Sequence, residues 1–233
     1  MFKSIFKKNI SAAIRWRMRD TERSIKDLLK EIQGELVKAP RIKKACMGRN
    51  RLLLNVGCGE LVREGWINID FSATSNDVFF WNLRNGLPLE PGTVEHIHME
   101  HFLEHLDYCA AVDLIGECYR VLQAGGTMRL IVPDAGRYMR AYTEDDKKFF
   151  SQLERLGGTA EPLPTPAAIC NQMFHMAGDH KFGWDLQTLQ FVCSKVGFRS
   201  AQESRHNEID PRYNIDGQDW WRPVESLYLN VTK

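Results

Sequence analysis

The sequence predicts an α/β fold built on a doubly wound, mostly parallel sheet with helices on its faces. Three observations carry this. The apolar run Leu52-Leu-Leu-Asn-Val56 ends directly in Gly57-Cys-Gly59, as a buried parallel strand ends in a tight turn. Similar short, largely apolar runs recur at 66–70, 77–81, 94–99, 127–132 and 226–231, a further strand is read at 199–204 after Gly197-Phe198, and helical periodicity lies between several of them. An acidic residue, Asp70, closes the second run.

The chain has 233 residues, enough to bury one sizeable core. With 43% apolar and 26% charged residues it belongs with soluble globular chains rather than disordered or fibrous ones. The net charge of +1 hides an asymmetry: residues 1–50 carry 14 Lys/Arg against 5 Asp/Glu, and the remainder 17 against 25. Cys46, Cys58, Cys109, Cys118, Cys170 and Cys193 form no C-x-x-C pair, which argues against a zinc knuckle or disulfide framework and for a reducing compartment. The basic start lacks the uninterrupted apolar core of a signal peptide. No later stretch approaches the roughly 20 apolar residues of a spanning helix, so a cytoplasmic location is expected.

Residues 2 to about 37 read as a helix, because Ile5, Ile10, Ile14, Ile25, Leu28, Leu29, Ile32 and Leu36 recur at helical spacing among Lys and Arg. Pro40 ends it, and the basic, aperiodic stretch 41–50 reads as a linker. Residues 1–50 are thus a basic amphipathic arm and linker, and 51–233 one domain. Over 108–122, Ala111, Leu114, Ile115, Cys118 and Leu122 share a helical face, with Gly125-Gly126 as stop and turn. The strand at 127–132 closes in Pro133-Asp134. Residues 135–184 read as a long irregular insertion with Gly157-Gly158 and Pro162, Pro164 and Pro166, and so long a loop in a compact domain is commonly a lid or binding loop. Asp185 caps a helix over 186–195 that Gly197 ends.

A strand running into Gly57-Cys58-Gly59 lets backbone approach a ligand closely. The dinucleotide fingerprint would place a third glycine where Leu61 and Val62 stand. Asp70, at a strand end, can accept both hydroxyls of an adenosine ribose; the alternative is a plain turn residue. These segments resemble the class I S-adenosylmethionine-dependent methyltransferases, in particular the predicted methyltransferases described as type 11. The resemblance is carried by Leu52 to Gly59, Gly65-Trp-Ile-Asn-Ile-Asp70, Gly86-Leu-Pro-Leu89, Glu100-His-Phe-Leu-Glu-His-Leu106, Tyr119 to Gly126 and Arg129 to Asp134, and it resumes over 182–198.

The resemblance implies a seven-stranded Rossmann-like sheet, S-adenosyl-L-methionine as cofactor, and methyl transfer to an oxygen or nitrogen acceptor. Carried over by position, Asn55, Gly57, Cys58 and Gly59 surround the amino-acid end of the cofactor and Asp70 holds the ribose. Asn82 and Leu83 belong to the adenine end, and Glu100 reaches the cofactor from the fourth strand. Asn82 stands where the family commonly has an acid, which makes that contact neutral and weaker.

The run His96-Ile-His-Met-Glu-His101 raises a metal alternative, since His-x-His-x-acid-His is similar to the ligand pattern of the metallo-β-lactamase family. That family prefers Asp at the position of Glu100, and His96 and His98 share one face of a strand, so no metal site is assigned. Glu100, His101 and His105 lie past the carboxyl end of the fourth strand, where open parallel sheets bind ligands. Methyl transfer to a hydroxyl needs alignment and removal of a proton, and histidine titrates near neutrality. His101 is the candidate base, Glu104 orients a neighbouring imidazole, and Glu100, His105 and His180 complete the catalytic set, with His175 weighed beside His180. The same cluster also reads as a helix cap that closes the cofactor pocket. Trp184, Trp220 and Trp221 suit either stacking on a sugar ring or ordinary packing.

In the arm, Phe2, Ile5, Phe6, Ile10, Ile14 and Trp16 alternate with Lys3, Lys7, Lys8, Arg15, Arg17 and Arg19, which suits residues 1–38 to an anionic membrane surface. Packing on the domain and a homodimer contact are the alternatives, and nucleic acid ranks below them. Family analogy and the arm favour a carbohydrate acceptor, a bacterial surface glycan or its lipid-linked precursor, at the inner face of the membrane. The rivals are a small-molecule or lipid methyltransferase of another pathway, a non-catalytic S-adenosylmethionine-binding protein and, last, a metal-dependent hydrolase.

Overall fold

The computed structural model describes residues 11–34, 36, 39–71, 75–159 and 162–233. Phe2, Ile5, Phe6, Ile10, the basic residues among them and the side chain of Trp16 lie outside the described residues. The strands are β1 (Leu52–Val56), β2 (Ile67–Asp70), β3 (Val78–Phe80), β4 (Val94–Glu100), β5 (Leu122–Pro133), β6 (Ser200–Ser204) and β7 (Ser226–Thr232). They form one seven-stranded sheet in the order β3-β2-β1-β4-β5-β7-β6. β7 runs antiparallel to both neighbours, and the other pairings are parallel. β1 is central and apolar because both its faces are covered, and Leu54, Asn55 and Val56 are all buried.

The helices are α1 (Ala12–Gln33), α2 (Ala39–Cys46), α3 (Tyr108–Val121), α4 (Ala135–Thr143), α5 (Lys147–Leu156), α6 (Pro166–His175), α7 (Leu186–Val196) and the short α8 (Arg222–Glu225). Asp107 caps α3 by accepting from the Ala110 N–H, and Ala111, Leu114, Ile115, Cys118 and Val121 form its buried stripe. Asp185 does the same for α7. No described helix is long and apolar enough to cross a membrane.

Three expectations need correction. The stretch after Pro40 is the helix α2 rather than a linker; Ile42 and Cys46, four apart, are buried in the main core. Proline costs no hydrogen bond in the first turn of a helix, so Pro40 begins α2. Residues 135–184 are largely helical, containing α4, α5 and α6 around a second apolar cluster of Tyr138, Phe149, Phe150, Leu153, Ile169 and Met173. Asp134, Asp146 and Thr165 cap these helices and Pro166 opens α6, so residues taken as loop punctuation act as helix starts. β5 also begins earlier than expected: Val94 pairs with Leu122 and His96 with Thr127, and residues 123–126 loop out of the ladder between them.

The arm is fastened to the domain at its end. Gly34 is buried, and a Cβ there would lie 1.6 Å from the Phe80 ring, so only glycine lets the chain cross β3 at this point. Upstream, Ile14, Met18, Ile25, Leu28, Leu29 and Ile32 are exposed, as is Leu36 just beyond it.

Between β4 and the loop at 205–221 lies a buried polar layer. His96, His98 and Glu100 alternate with Ile97 and Met99 along β4 and therefore share a face. Opposite His98, Arg129 of β5 is fully buried. Its five N–H groups all have acceptors: Asp216 takes two, and Ser204 Oγ, Asn230 Oδ1 and the Arg205 carbonyl one each. Glu100 accepts from the Gly217 N–H at 2.8 Å and pairs with Arg222 at 3.0 Å.

Breaking such a buried pair leaves an uncompensated charge, so Asp216→Ala should lower stability by about 3–5 kcal/mol. The double variant Arg129→Met with Asp216→Leu should lose much less, because no charge is left stranded. Urea denaturation of both decides the point, and a cost under about 1 kcal/mol for Asp216→Ala would show that the pair does not hold the loop.

Candidate active site

In an open parallel sheet, ligands bind beyond the carboxyl ends of the strands where the strand order reverses. Here that point lies between β1, which continues to β2 on one side, and β4 on the other. Gly57, Cys58 and Gly59 leave β1 there, and Glu100 and His101 end β4.

The first half of the site is a backbone cradle. Gly57 (φ +64) and Gly59 (φ +49) are left-handed, and the Gly57 and Cys58 N–H groups both donate to the Ile69 carbonyl of β2. A Cβ at Gly57 would fall 2.3 Å from the Phe102 ring, whereas at Gly59 it would meet no described atom within 4 Å. The Gly59 N–H donates to Asp70 Oδ2 at 2.9 Å, so Asp70 braces the turn from the end of β2. Asn55 is buried, and its amide donates to the Leu61 carbonyl and to Asn68 Oδ1, holding the loop beyond the turn. The Cys58 thiol is buried, and burial with the nearby Asp70 carboxylate pushes it up to about 12, so it stays protonated. Past β3, the Asn82 amide oxygen accepts from the Arg84 N–H and Leu83 is buried.

These groups fit an adenosyl cofactor. A glycine turn, a carboxylate and an amide stand at the ends of three adjacent strands, β1, β2 and β3, a span of about 10 Å at the usual strand spacing. Beside the turn, Leu61, Val62 and Arg63 face residues 214–219 across a cleft of about 510 Å³.

The second half is a cavity of about 320 Å³ lined by His101, Glu104, His105, Tyr138, Gln172, His180, Trp221, Arg222 and Glu225, among others. His101 is a non-glycine residue at φ +48, an uncommon conformation that often marks a functional position. Its Nε2 is 2.8 Å from Ser226 Oγ, and its Nδ1 lies 3.5 Å from Glu104 and 3.8 Å from Glu225. Burial, with the Arg222 guanidinium, holds its imidazole well below the ordinary histidine range. Burial raises Glu104 to about 8 and Glu225 to about 7; Glu225 also accepts from the Tyr138 hydroxyl at 2.8 Å. Burial likewise lowers His180.

Of the residues singled out from sequence, His101, His105 and His180 meet in this cavity, with Glu104. Glu100 does not line it: its carboxylate is occupied by Arg222, His98 and Gly217, which makes it a brace for the covering loop rather than a base. His96 and His98 are apart from His101 in role. His96 stacks on Tyr213 at 4.3 Å and bonds Thr127 Oγ1, and His98 bonds Glu100. The strand-face reading describes both. His175 is exposed at the end of α6. Trp184 is fully buried in the core, Trp220 is exposed, and Trp221 alone of the three lines the cavity, its ring edge-on to His101 at 5.6 Å. Sequence reasoning missed Tyr138, Gln172, Arg222 and Glu225, which come from α4, α6 and α8 and carry no local signal of their convergence.

No protein-family model matches the chain, and no curated protein matches its sequence. Solved structures do match. A SAM-dependent methyltransferase from Archaeoglobus fulgidus aligns with a TM-score of 0.50 at 19% identity, covering 86% of this chain and 94% of its own. A SAM-dependent methyltransferase from Thermotoga maritima aligns with a TM-score of 0.45 at 14% identity, covering 92% and 97%. Phosphoethanolamine N-methyltransferase 2 from Haemonchus contortus, in complex with S-adenosyl-L-methionine, gives 0.47 at 10% identity and covers 83% and 52%. At such identities the likeness is one of fold, and the Archaeoglobus protein carries it. By this likeness, by its strand order and by its antiparallel seventh strand, the chain has the class I S-adenosylmethionine-dependent methyltransferase fold.

Proposed function

We propose that this protein transfers a methyl group from S-adenosylmethionine to an oxygen or nitrogen acceptor held in the 320 Å³ cavity. The observation that carries the reading is the pairing of cradle and cavity across two consecutive residues: Phe102 packs against Gly57, and His101 lines the cavity. S-adenosylmethionine supplies, when bound, an electrophilic methyl group on a sulfonium. The chain's residues then have to align the acceptor and exclude water, and alignment is worth the most, up to about 7–11 kcal/mol. Gly57 and Gly59 offer backbone to the amino-acid end, Asp70 a carboxylate to the ribose, and Asn82 an amide to the adenine. In the cavity, His101 is the group assigned to the acceptor's proton, with Glu104 and Glu225 beside its Nδ1 to orient the ring.

A carbohydrate hydroxyl is the acceptor this reading favours. The cavity is near the lower end of small-ligand pockets, and it sets the Trp221 ring among hydrogen-bonding side chains, a combination suited to a sugar ring. The exposed apolar residues of α1, with Arg15, Arg17, Arg19 and Lys26 exposed among them, support a membrane-proximal, lipid-linked acceptor.

Asp70→Ala should weaken S-adenosylmethionine binding by about 1.5–3 kcal/mol, the range for a hydrogen bond to a charged group. Isothermal titration on a variant with an unchanged melting temperature checks this, and unaltered affinity removes the ribose assignment. His101→Ala should cut turnover by about 10²–10⁴-fold at near-normal cofactor affinity. Loss of cofactor binding instead would make His101 a wall of the cofactor pocket. Deleting residues 1–38 should abolish sedimentation with anionic vesicles and spare cofactor affinity. Full-length binding should weaken as salt rises, because such attraction is screened within about 8–10 Å. Binding to neutral vesicles alone would count against the electrostatic part of this reading, whereas no vesicle binding at any salt, with a truncated chain that loses stability or changes its mass in solution, would count for a packing or dimer role of the arm.

A further inference from the structure

Glu104 and His105 belong to the single helical turn after β4, and His180 follows α6, yet the two segments are tied together: the Lys181 and Phe182 N–H groups both donate to the Glu104 carbonyl, at 2.7 and 3.3 Å. One carboxylate oxygen of Glu104 and one ring nitrogen of each histidine lie within 4.8 Å of one another. Among the described residues this is the set of His, Cys, Asp and Glu close enough to share an ion, and it does not include His96, His98 or His101.

Two further features mark the set. Nδ1 of His180 meets the Met173 carbonyl and Nδ1 of His105 meets the Asp179 carbonyl. A carbonyl only accepts, so each Nδ1 carries the hydrogen and each Nε2 keeps its lone pair, the tautomer a metal-bound imidazole has when its other nitrogen donates to backbone. Glu104 is 2% exposed, and neither carboxyl oxygen has a hydrogen-bond partner; the nearest polar group among its ion-pair contacts is His101 Nδ1, at 3.5 Å. A buried carboxyl without a hydrogen-bond donor is costly to ionise, and a cation would supply the counter-charge that the protein does not.

We propose that Glu104, His105 and His180 bind a divalent transition metal ion, such as Zn²⁺, Mn²⁺ or Co²⁺, in the wall of the acceptor cavity. Two imidazoles and one carboxylate suit these ions better than Ca²⁺ or Mg²⁺. Metal–nitrogen bonds of about 2.0–2.1 Å can be made by ligand atoms this close together. Three protein ligands leave a position open to the cavity that all three residues line. Resting on the reading of that cavity as the acceptor site, the ion would take a hydroxyl oxygen there, which orients it and makes it more acidic. The acceptor class is thereby narrowed to hydroxyl compounds able to ligate a metal.

The test is a Co²⁺ titration of the full-length protein followed by visible absorption. One equivalent should bind with the intensified d–d bands of a four- or five-coordinate site and without a sulfur charge-transfer band, and added Zn²⁺ should bleach them. Glu104→Gln, which keeps size and removes charge, should weaken Co²⁺ binding at least 10-fold, and His180→Gln should do the same. A wild-type protein that leaves the Co²⁺ spectrum unchanged at equimolar metal overturns the site, as does binding unaltered in both variants. S-adenosylmethionine titration of the same samples keeps the two readings apart. Metal binding without cofactor binding upholds the site and sinks methyl transfer, and the reverse sinks the site alone.

Discussion

A charged side chain in a central strand dictates much of this structure. Arg129 sits in β5 with no exposed surface, and a guanidinium can be buried there only if its donors are all satisfied. No helix could do that with apolar side chains. The cover is instead a polar loop, whose Asp216, Arg205 carbonyl and neighbouring Ser204 complete the guanidinium's hydrogen bonds. Once that loop is pinned, with Glu100 holding Gly217 and Arg222, the chain is delivered to α8 with Trp221, Arg222 and Glu225 turned toward the end of β4. The shape of the cavity beside His101 follows from how a strand residue obtains its counter-charge.

The two halves of the site have opposite physical character. The cradle at β1 is made of backbone, and its glycine at 57 exists because Phe102 occupies the space a side chain would need. The cavity is made of side chains, many ionisable and mostly buried. Burial disfavours charge there, pulling His101 down and pushing Glu104 and Glu225 up, so the groups tend toward neutrality without a bound partner. Such a site is poised for a ligand that brings its own charge or polarity.

The strands and the main helices were legible because each carries a local signal. β1 is an apolar run before glycine, α3 a stripe with an Asp cap, and Asp70 a carboxylate at a strand end. The insertion was misread for a local reason as well. Its prolines and short apolar sets look like loop when one segment is read alone, since a nine- or ten-residue helix such as α4 or α5 gains most of its stability from packing on its neighbours. Pro40 misled in the same way, because a proline that ends one helix and one that opens the next have the same sequence appearance.

The sequence by itself determined the sheet, the glycine turn, the acid at the end of β2 and the histidines past β4, because backbone geometry and hydrophobic period act over a few residues. Only the tertiary structure decided which ionisable groups meet. Glu100 turned away to Arg222, while Glu104, His105 and His180 came together with Tyr138 and Glu225 from elements far along the chain. Those encounters depend on how helices and loops pack over the sheet edge, and the energy that selects them lies in long-range burial and charge pairing that no local pattern records.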